Sequence, residues 1–318
     1  MRVVAGIRFG PGVACCNLHA DGGGLRKDPV FPGKLSGDYK RRIREWRIWT
    51  MKLTILGTGN AAVSECYNTC FVLSDKEEYF LVDAGGGNRI LKLLKDAGIE
   101  LEDIHNIFVT HEHIDHVLGV IWLIRMIGQR MNQGKYEGDL RIYCHQELAE
   151  KIQTIASLTI QKKVCRHMGE RIQFVKVESG EQREIMGCTV TFFDIASTKA
   201  KQFGFTMKLK NGGKFTCVGD EPYNEANYEY VKGSSWLLHE AFCLYAEADK
   251  FKPYEKHHST VKEACQLAEE LGVPNLLLYH TEETHLKERK ELYTAEGQEY
   301  YHGNLYVPDD MEEFIICT

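Results

Sequence analysis

The segment THEHIDH, residues 110–116, restricts most strongly what this chain can fold into. It lies between an apolar strand pattern (NIFV) and an apolar helix pattern (VLGVIWLIRMIGQRM). His111 and His113 are two residues apart, so in an extended backbone both side chains project to the same side. Imidazole and carboxylate groups are good ligands for a borderline-soft divalent cation. One tetrahedral ion cannot use four ligands from one short loop, so the segment favours two adjacent ions held by His111, His113, Asp115 and His116.

The rest of the chain alternates strand patterns with a few helix patterns. Period-two and short apolar runs predict strands, and a helix is predicted over TVKEACQLAEELG with Thr260 and Glu263 as its capping box. Asn211 and the two glycines after it predict a hairpin between FGFTMKL and KFTCVGD. Many strands with few helices indicate two packed sheets covered by helices, an α/β (α+β) architecture. The other predicted strands are KLTILG, NTCFVL, YFLVDAGGG, NIFVTH, LRIYC, RIQFVKV, TVTFFDI, SWLLHEAF, NLLLYH and EFIIC, and the other predicted helix is NRILKLLKDAG.

Residues 1–50 differ from the remainder of the chain. They contain eight glycines and three of the seven prolines, with ten Lys/Arg against four Asp/Glu. The apolar segment that a secretory signal requires does not follow Arg2. We therefore expect residues 1–50 to be a disordered or non-native extension, and residues 51–318 to form the folded domain.

Charge and cysteine content narrow the functional classes. The chain carries a net charge of −6 and its first fifty residues carry +6, so residues 51–318 carry −12. This acidic body argues against a general nucleic-acid binder, although a local basic strip stays compatible with it. No apolar run approaches the roughly 18 to 20 residues of a membrane helix, so no membrane partner is expected. The eleven cysteines lack zinc-finger spacing, which predicts reduced thiols and a cytoplasmic location.

The segment THEHIDH resembles the H-x-H-x-D-H signature of the metallo-β-lactamase superfamily. GTGNA and VDAGGG, with Asp83, resemble early motifs of that superfamily. The resemblance runs from Met51 to Thr318 and implies a four-layer αβ/βα sandwich with two divalent ions, Zn²⁺ being the expected metal. CVGD puts Asp220 at the position of the metal-bridging carboxylate, and LLLYH puts His280 at the last histidine ligand. By this resemblance one ion is held by His111, His113 and Asp220, and the other by Asp115, His116, Asp220 and His280.

Two further segments resemble ribonuclease Z, the tRNA 3′-processing endonuclease. LLHEAF at 237–242 is similar to its H-E-A-T element, and HHST at 257–260 to its H-S-T element. The resemblance implies hydrolysis of a phosphodiester, in RNA or a tRNA precursor, by a hydroxide shared between the two ions, with a homodimer as one assembly to test. Asp115, Glu240 and His258 are the expected catalytic residues, and the last two would form a proton relay. A buried Glu240 needs a partner, and His258 is the candidate.

Two departures from the ribonuclease Z pattern keep alternatives open. The Gly/Pro-rich arm that grips tRNA is missing between His116 and Asp220. The family places a metal-binding histidine after the strand FFDI, where this chain has Ala196, and no histidine occurs between His167 and His239. The first ion is then one ligand short, through an engineered change, a naturally weak site or loss of activity. The alternatives are another hydrolase of this fold (a small phosphodiesterase, arylsulfatase, lactonase or β-lactamase) or a catalytically weak metal-binding homologue.

Overall fold

Two seven-stranded mixed sheets face one another in the computed structural model, which describes residues 50–317. The first sheet contains, in spatial order, β14 (Glu313–Cys317), β1 (Met51–Gly57), β2 (Cys70–Asp75), β3 (Glu78–Val82), β4 (Asn106–Phe108), β5 (Leu140–Cys144) and β6 (Ile172–Lys176). The second contains β13 (Asn304–Tyr306), β12 (Asn275–Tyr279), β11 (Trp236–Glu240), β10 (Lys214–Cys217), β9 (Phe203–Lys208), β8 (Cys188–Asp194) and β7 (Gln182–Ile185).

Helices cover the outer face of each sheet. The first sheet packs against α1 (Arg89–Asp96), α2 (Ile114–Asn132), α3 (Gln146–Thr159) and α4 (Lys162–Cys165). The second packs against α5 (Tyr228–Val231), α7 (Val261–Glu270) and α8 (Arg289–Gly297), while α6 (Ala248–Phe251) is a single turn. Short 3₁₀ turns span Leu101–Asp103, Glu225–Asn227, Tyr245–Glu247 and Tyr254–Lys256. The order helices–sheet–sheet–helices is the predicted four-layer αβ/βα sandwich.

The space between the sheets is filled by aromatic and aliphatic side chains. Phe80 packs edge-on against Phe205 with ring centroids 5.4 Å apart, and Phe108 lies 5.0 Å from Phe192. Each of these rings is fully buried, and burying one such side chain stabilises the fold by about 1.5 to 3 kcal/mol. Because each pair joins one sheet to the other, these contacts fix the two sheets as one body.

Parallel pairing places the chemically important residues at one edge of each sheet. β3, β4 and β5 run parallel in the first sheet, and β10, β11 and β12 run parallel in the second. The carboxyl ends of neighbouring parallel strands meet at the same edge, where α/β proteins build their sites. Asp83 follows β3, the segment 110–116 follows β4, and Asp220 and His280 follow β10 and β12.

Gly119 allows α2 to approach the loop after β3 closely. A Cβ atom at this position would lie 1.8 Å from the carbonyl oxygen of Ala84. Without that atom, the Gly119 amide donates to Gly85 O at 2.8 Å and the Ala84 amide donates to His116 O at 3.2 Å. This close packing brings the first turn of α2, which carries Asp115 and His116, against the loop that contains Asp83.

Most of the predicted elements are present. The hairpin between β9 and β10 is antiparallel, and α7 begins after Thr260 with the Thr260–Glu263 capping box. The sequence patterns missed two strands, β7 and β13, and five helices, α3, α4, α5, α6 and α8. The predicted extension covers residues that lie outside the described part of the chain, apart from Thr50.

Two further features of the described residues concern membrane-spanning helices and disulfide bonds. None of the helices within residues 50–317 combines the length and apolar character needed to cross a bilayer. The eight cysteines with described side chains are all free thiols.

Candidate metal centre

The loop between β4 and α2 brings two imidazoles together. His111 is fully buried, whereas His113 is the N-cap residue of α2 and is partly exposed. His111 Nε2 lies 2.8 Å from His113 Nδ1, so both ring nitrogens face the same point. These two side chains and Asp220, which we call the first ligand set, each offer one ligand atom within 4.8 Å of the others.

The second ligand set consists of Asp115, His116 and His280, together with Asp220. The first three offer ligand atoms within 4.8 Å of one another, and all are buried. Asp115 Oδ2 lies 3.3 Å from His116 Nε2 and 3.7 Å from His280 Nε2. The β4–α2 loop of the first sheet and the end of β12 in the second sheet thus supply one set.

A single oxygen atom joins the two sets. Asp220 Oδ2 lies 3.5 Å from His111 Nε2, 3.5 Å from His116 Nε2 and 3.3 Å from His280 Nε2. The Nε2 atoms of His116 and His280 are buried and have no hydrogen-bond partner among the described residues. Imidazole nitrogens without partners around a carboxylate are a donor set that fits divalent cations such as Zn²⁺.

Burial and neighbouring charges shift the pKa values of His111, Asp115 and Asp220 toward the protonation states that bind a cation. Burial lowers the pKa of His111 well below its usual value, which leaves its ring neutral and able to donate a lone pair. Burial would raise the pKa of Asp115, but the adjacent His116 outweighs it and holds that pKa far below its usual range. For Asp220, burial is likewise outweighed by His111 and the neighbouring histidines, so its pKa is also depressed. The centre therefore presents ionised carboxylates in a buried space.

Asp83 supports the second ligand set from outside. Its Oδ2 atom lies 2.8 Å from His116 Nδ1 and accepts a 2.8 Å hydrogen bond from the Thr110 hydroxyl, while Oδ1 accepts from the Thr110 amide at 2.9 Å. A carboxylate on the far ring nitrogen fixes the tautomer of a ligand histidine and raises its basicity. Asp83 and His280 both have positive φ angles, 54° and 58°, a costly conformation that tends to occur at functional sites.

Glu240 and His258 lie beside the second ligand set and close to each other, and Glu240 has a further partner that the sequence did not indicate. The hydrogen-bond partner of Glu240 is Ser259, whose backbone amide and hydroxyl both donate to Oε1. His258 Nδ1 lies 3.5 Å from Glu240 Oε2, and neither of these buried atoms has a hydrogen-bond partner among the described residues. A small shift would close this pair. The His258 ring centroid lies 5.0 Å from that of His280.

Five of the predicted residues, His113, Asp115, Asp220, His258 and His280, line a cavity of about 620 Å³. Its lining includes Lys199 from the segment after β8. Ala196, the position predicted to lack a ligand, is exposed and borders a neighbouring cavity with Glu221 and His258. That Ala196 occupies the position of the missing ligand therefore stays a prediction. Lys199 is the residue of this segment that lines the larger cavity. The lining residues are Asn60, Ala61, Ala62, Glu112, His113, Ile114, Asp115, Lys199, Asp220, Phe242, Lys256, His258 and His280.

Sequence reasoning missed three contributors to this centre. Gln202 is buried, donates from Nε2 to Asp220 Oδ1 and accepts from the Asp220 amide at 3.1 Å. Phe242 stacks on His258 with ring centroids 5.0 Å apart and an interplanar angle of 11°. Lys256 lies 4.8 Å from the Phe242 ring and borders the cavity. Phe242 belongs to the LLHEAF motif, whereas no sequence motif contains Gln202 or Lys256.

The chain is similar in sequence to known proteins. Residues 51–299 match the profile of the family described as "Anti-Pycsar protein Apyc1". Ribonuclease Z of Methanothermobacter thermautotrophicus is 26% identical over 271 residues, which cover 72% of this chain and 86% of that protein. Ribonuclease Z of Synechococcus sp. is 24% identical over 314 residues, covering 82% and 91%.

Solved structures show the same fold. The metallo-β-lactamase fold protein YhfI from Bacillus subtilis superimposes with a TM-score of 0.69 at 17% identity, covering 84% of this chain and 99% of that one. The short form of human tRNase Z superimposes with a TM-score of 0.65 at 21% identity, covering 84% and 100%. The predicted metallo-β-lactamase fold and the similarity to ribonuclease Z are thus confirmed.

Proposed function

We propose that this chain, which belongs to the family described as Anti-Pycsar protein Apyc1, is a metal-dependent phosphodiesterase of the ribonuclease Z type. The observation that carries this proposal is the position of Asp220 Oδ2, within 3.5 Å of ring nitrogens from both ligand sets. Two divalent ions that share one carboxylate can act together on the attacking and leaving oxygens of a phosphodiester. The similarity to ribonuclease Z proteins supports the same class.

Each residue of the centre has a proposed role. His111 and His113 hold one ion, Asp115, His116 and His280 hold the other, and Asp220 bridges them. When bound, the ions supply Lewis acidity and lower the pKa of a water molecule. His258, held in place by Phe242 and facing Glu240, donates a hydrogen bond to the scissile phosphate or a proton to the leaving oxygen. Zn²⁺ as the metal, a cytoplasmic location and a homodimer belong to the same proposal.

Two substrate classes compete within this function. Cleavage of a tRNA precursor is supported by the curated relatives named ribonuclease Z. A small phosphodiester is supported by the cavity of about 620 Å³ and by the short connection 133–139 between α2 and β5, which has no room for a long gripping arm. The acidic body, at −12 over residues 51–318, also disfavours a long polyanionic substrate.

Direct comparison of substrates tests both levels of the proposal. The purified chain is given a tRNA precursor with a 3′ trailer, a cyclic phosphodiester and an activated aryl phosphodiester, each with Zn²⁺ and with chelator. We expect chelator-sensitive hydrolysis of phosphodiesters, and the more rapidly cleaved of the first two identifies the substrate class. A chain that binds metal but hydrolyses none of the three would instead be the catalytically weak homologue.

The role of His258 can be separated from metal binding. We expect His258→Ala to keep its metal content and to slow hydrolysis of substrates with poor leaving groups by about 10²- to 10⁴-fold. The aryl phosphodiester should lose less, because its leaving group needs no proton. The matched control is His257→Asn, since His257 is exposed and its positive φ of 56° is tolerated by asparagine. Equal losses on both substrate types would point to phosphate binding instead of proton donation.

A further inference from the structure

A second group of ligand-type side chains lies outside the two ligand sets of the proposed centre. Glu247 ends the 3₁₀ turn Tyr245–Glu247, and Glu282 and His285 follow β12. The two glutamates and His285 each offer a ligand atom within 4.8 Å of the other two. His285 Nε2 lies 2.9 Å from Glu247 Oε2. We propose that Glu247, Glu282 and His285 bind one divalent transition-metal ion such as Zn²⁺, separate from the ions at Asp220.

The buried carboxylate of Glu282 is the strongest support for this site. Glu282 is only 4% exposed. Its Oε2 atom accepts from the Thr284 amide, whereas Oε1 has no hydrogen-bond partner among the described residues. The buried guanidinium of the same segment, Arg289, donates to Thr281 Oγ1 and Pro308 O instead. An ionised carboxylate is costly to bury without a partner, and a cation beside His285 would supply one.

The other two ligands leave the site accessible. Glu247 and His285 are each partly exposed, with 24% and 29% of their side-chain surface open, so an ion can enter and water can complete its coordination. Lys250 binds Glu247 Oε1 at 3.2 Å, which leaves Oε2 directed at His285. Carboxylate and imidazole are both zinc ligands, and three protein ligands with one open position is a common zinc arrangement. Zinc–ligand distances of about 2.1 Å place tetrahedral ligand atoms roughly 3.4 Å apart. That separation lies between the 2.9 Å of the Glu247–His285 pair and the 4.8 Å within which all three ligand atoms lie.

The position of this site suggests what the ion does. Glu247 follows β11, which ends in Glu240, and Glu282 follows His280. The Glu282 amide also donates to Phe242 O at 2.8 Å. An ion held by both segments would clamp together the two chain segments that follow β11 and β12. Its expected effect is on the stability of that region rather than on the chemical step.

Metal counting on the full chain tests the proposal. After equilibration at a fixed free Zn²⁺ concentration, we expect Glu282→Gln and His285→Ala each to bind one equivalent less than the unaltered chain, through an affinity at least roughly tenfold weaker for that ion. The matched control is His302→Ala. His302 forms a similar pair with Glu269, at 3.1 Å, but its pair belongs to no described three-residue ligand cluster. This control should bind the unaltered number of ions.

The same measurement in an Asp220→Asn background separates this site from the central one. One Zn²⁺ equivalent should remain bound there, and His285→Ala should remove it. His285 is partly exposed, so this variant serves even if Glu282→Gln fails to fold. Equal Zn²⁺ stoichiometry in the unaltered chain, both site variants and the control, with equal Zn²⁺-dependent rises in melting temperature, would overturn the proposal.

Discussion

The two ligand sets of the centre share Asp220 but differ in how they are built. In the second set Asp115, His116 and His280 are all buried, and both sheets contribute. In the first set only His111 joins Asp220 in the interior, while His113 is partly exposed at the start of α2. Side chains that are fixed by packing lose less entropy when they bind an ion. We therefore expect the second set to bind its ion more tightly.

Charge near the two sets differs in the same direction. Asp83 places a carboxylate 2.8 Å from His116 in the second set. Lys199 lies on the wall of the cavity that residues of both sets border, so its charge disfavours a cation in either set. The segment THEHIDH resembles a superfamily signature. In that family the segment that here carries Lys199 contains a histidine. Two ions that share one carboxylate need not be bound equally.

Asp220→Asn should have the largest effect, because it alters the one oxygen common to both sets. We expect both ions to be lost at micromolar free metal. Hydrolysis should fall by roughly 10³-fold or more, since ions of this kind contribute several kcal/mol and each 1.4 kcal/mol is a factor of ten. Elemental analysis and turnover on an aryl phosphodiester measure the two effects. Retention of both ions of the centre would remove Asp220 from its proposed bridging role.

Asp115→Ala and His280→Ala should distinguish the two sets by their effect on metal content. Each removes a ligand that belongs to the second set alone, so we expect about one ion fewer per chain. His113→Ala is the counterpart in the first set, and it should change the metal content less because that ion is already weakly held. The comparison is made by elemental analysis after dialysis against the same buffered Zn²⁺. Unchanged metal content in Asp115→Ala or His280→Ala would show that the second set is wrongly assigned.

The segment after β8 offers a way to strengthen the weaker set. Lys199→His removes a positive charge from the cavity and adds an imidazole, so we expect the metal content of the centre to rise toward two ions and turnover to rise with it. Ala196→His tests the position that the sequence pattern indicated, and we expect the smaller gain there because Ala196 borders the neighbouring cavity. A larger gain from Ala196→His would restore the original alignment. If neither variant gains metal or activity, the missing ligand lies elsewhere in the chain.

The parts of the centre that could be predicted are those carried by short motifs. His111, His113, Asp115 and His116 lie within one loop, and His280 ends an apolar strand that the sequence makes plain. Gln202 could not be predicted, because it reaches Asp220 only through the pairing of β9 with β10 and no local pattern marks it. The same holds for Ser259 as the partner of Glu240, which depends on the backbone path between β11 and α7.

The fold shows the same division. The strands with continuous apolar runs were predicted, whereas β7 (QREI) is a polar edge strand and α8 buries only Arg289, Tyr293 and Gly297. Neither has the periodicity that reveals an amphipathic element. In α3 the buried Leu148, Ala149, Ile152 and Ala156 do follow a helical period, so that helix was open to prediction.

Asp83→Asn should have the smallest of these effects and is the finest probe of the difference between the sets. The carboxylate of Asp83 accepts from the Thr110 amide, the Thr110 hydroxyl and His116 Nδ1. Asparagine has only one acceptor oxygen, so at least one of these donors would face an NH₂ group. It also tolerates the positive φ of 54° at this position, so the backbone should persist. Loss of such an outer partner typically weakens metal binding by about 10- to 100-fold.

That weakening should fall mainly on the second ion, measured by competitive Zn²⁺ titration against a chromogenic chelator. Asp310→Asn is the control, since Asp310 also accepts hydrogen bonds, from Thr58 and the Tyr67 amide, without contacting a proposed ligand. Equal weakening of both ions would mean that Asp83 also acts on the first set through Thr110, whose hydroxyl lies 2.9 Å from His111 Nδ1. In that case the two sets would share their outer support as well as Asp220. Their unequal affinity would then have to come from the burial of the ligands alone.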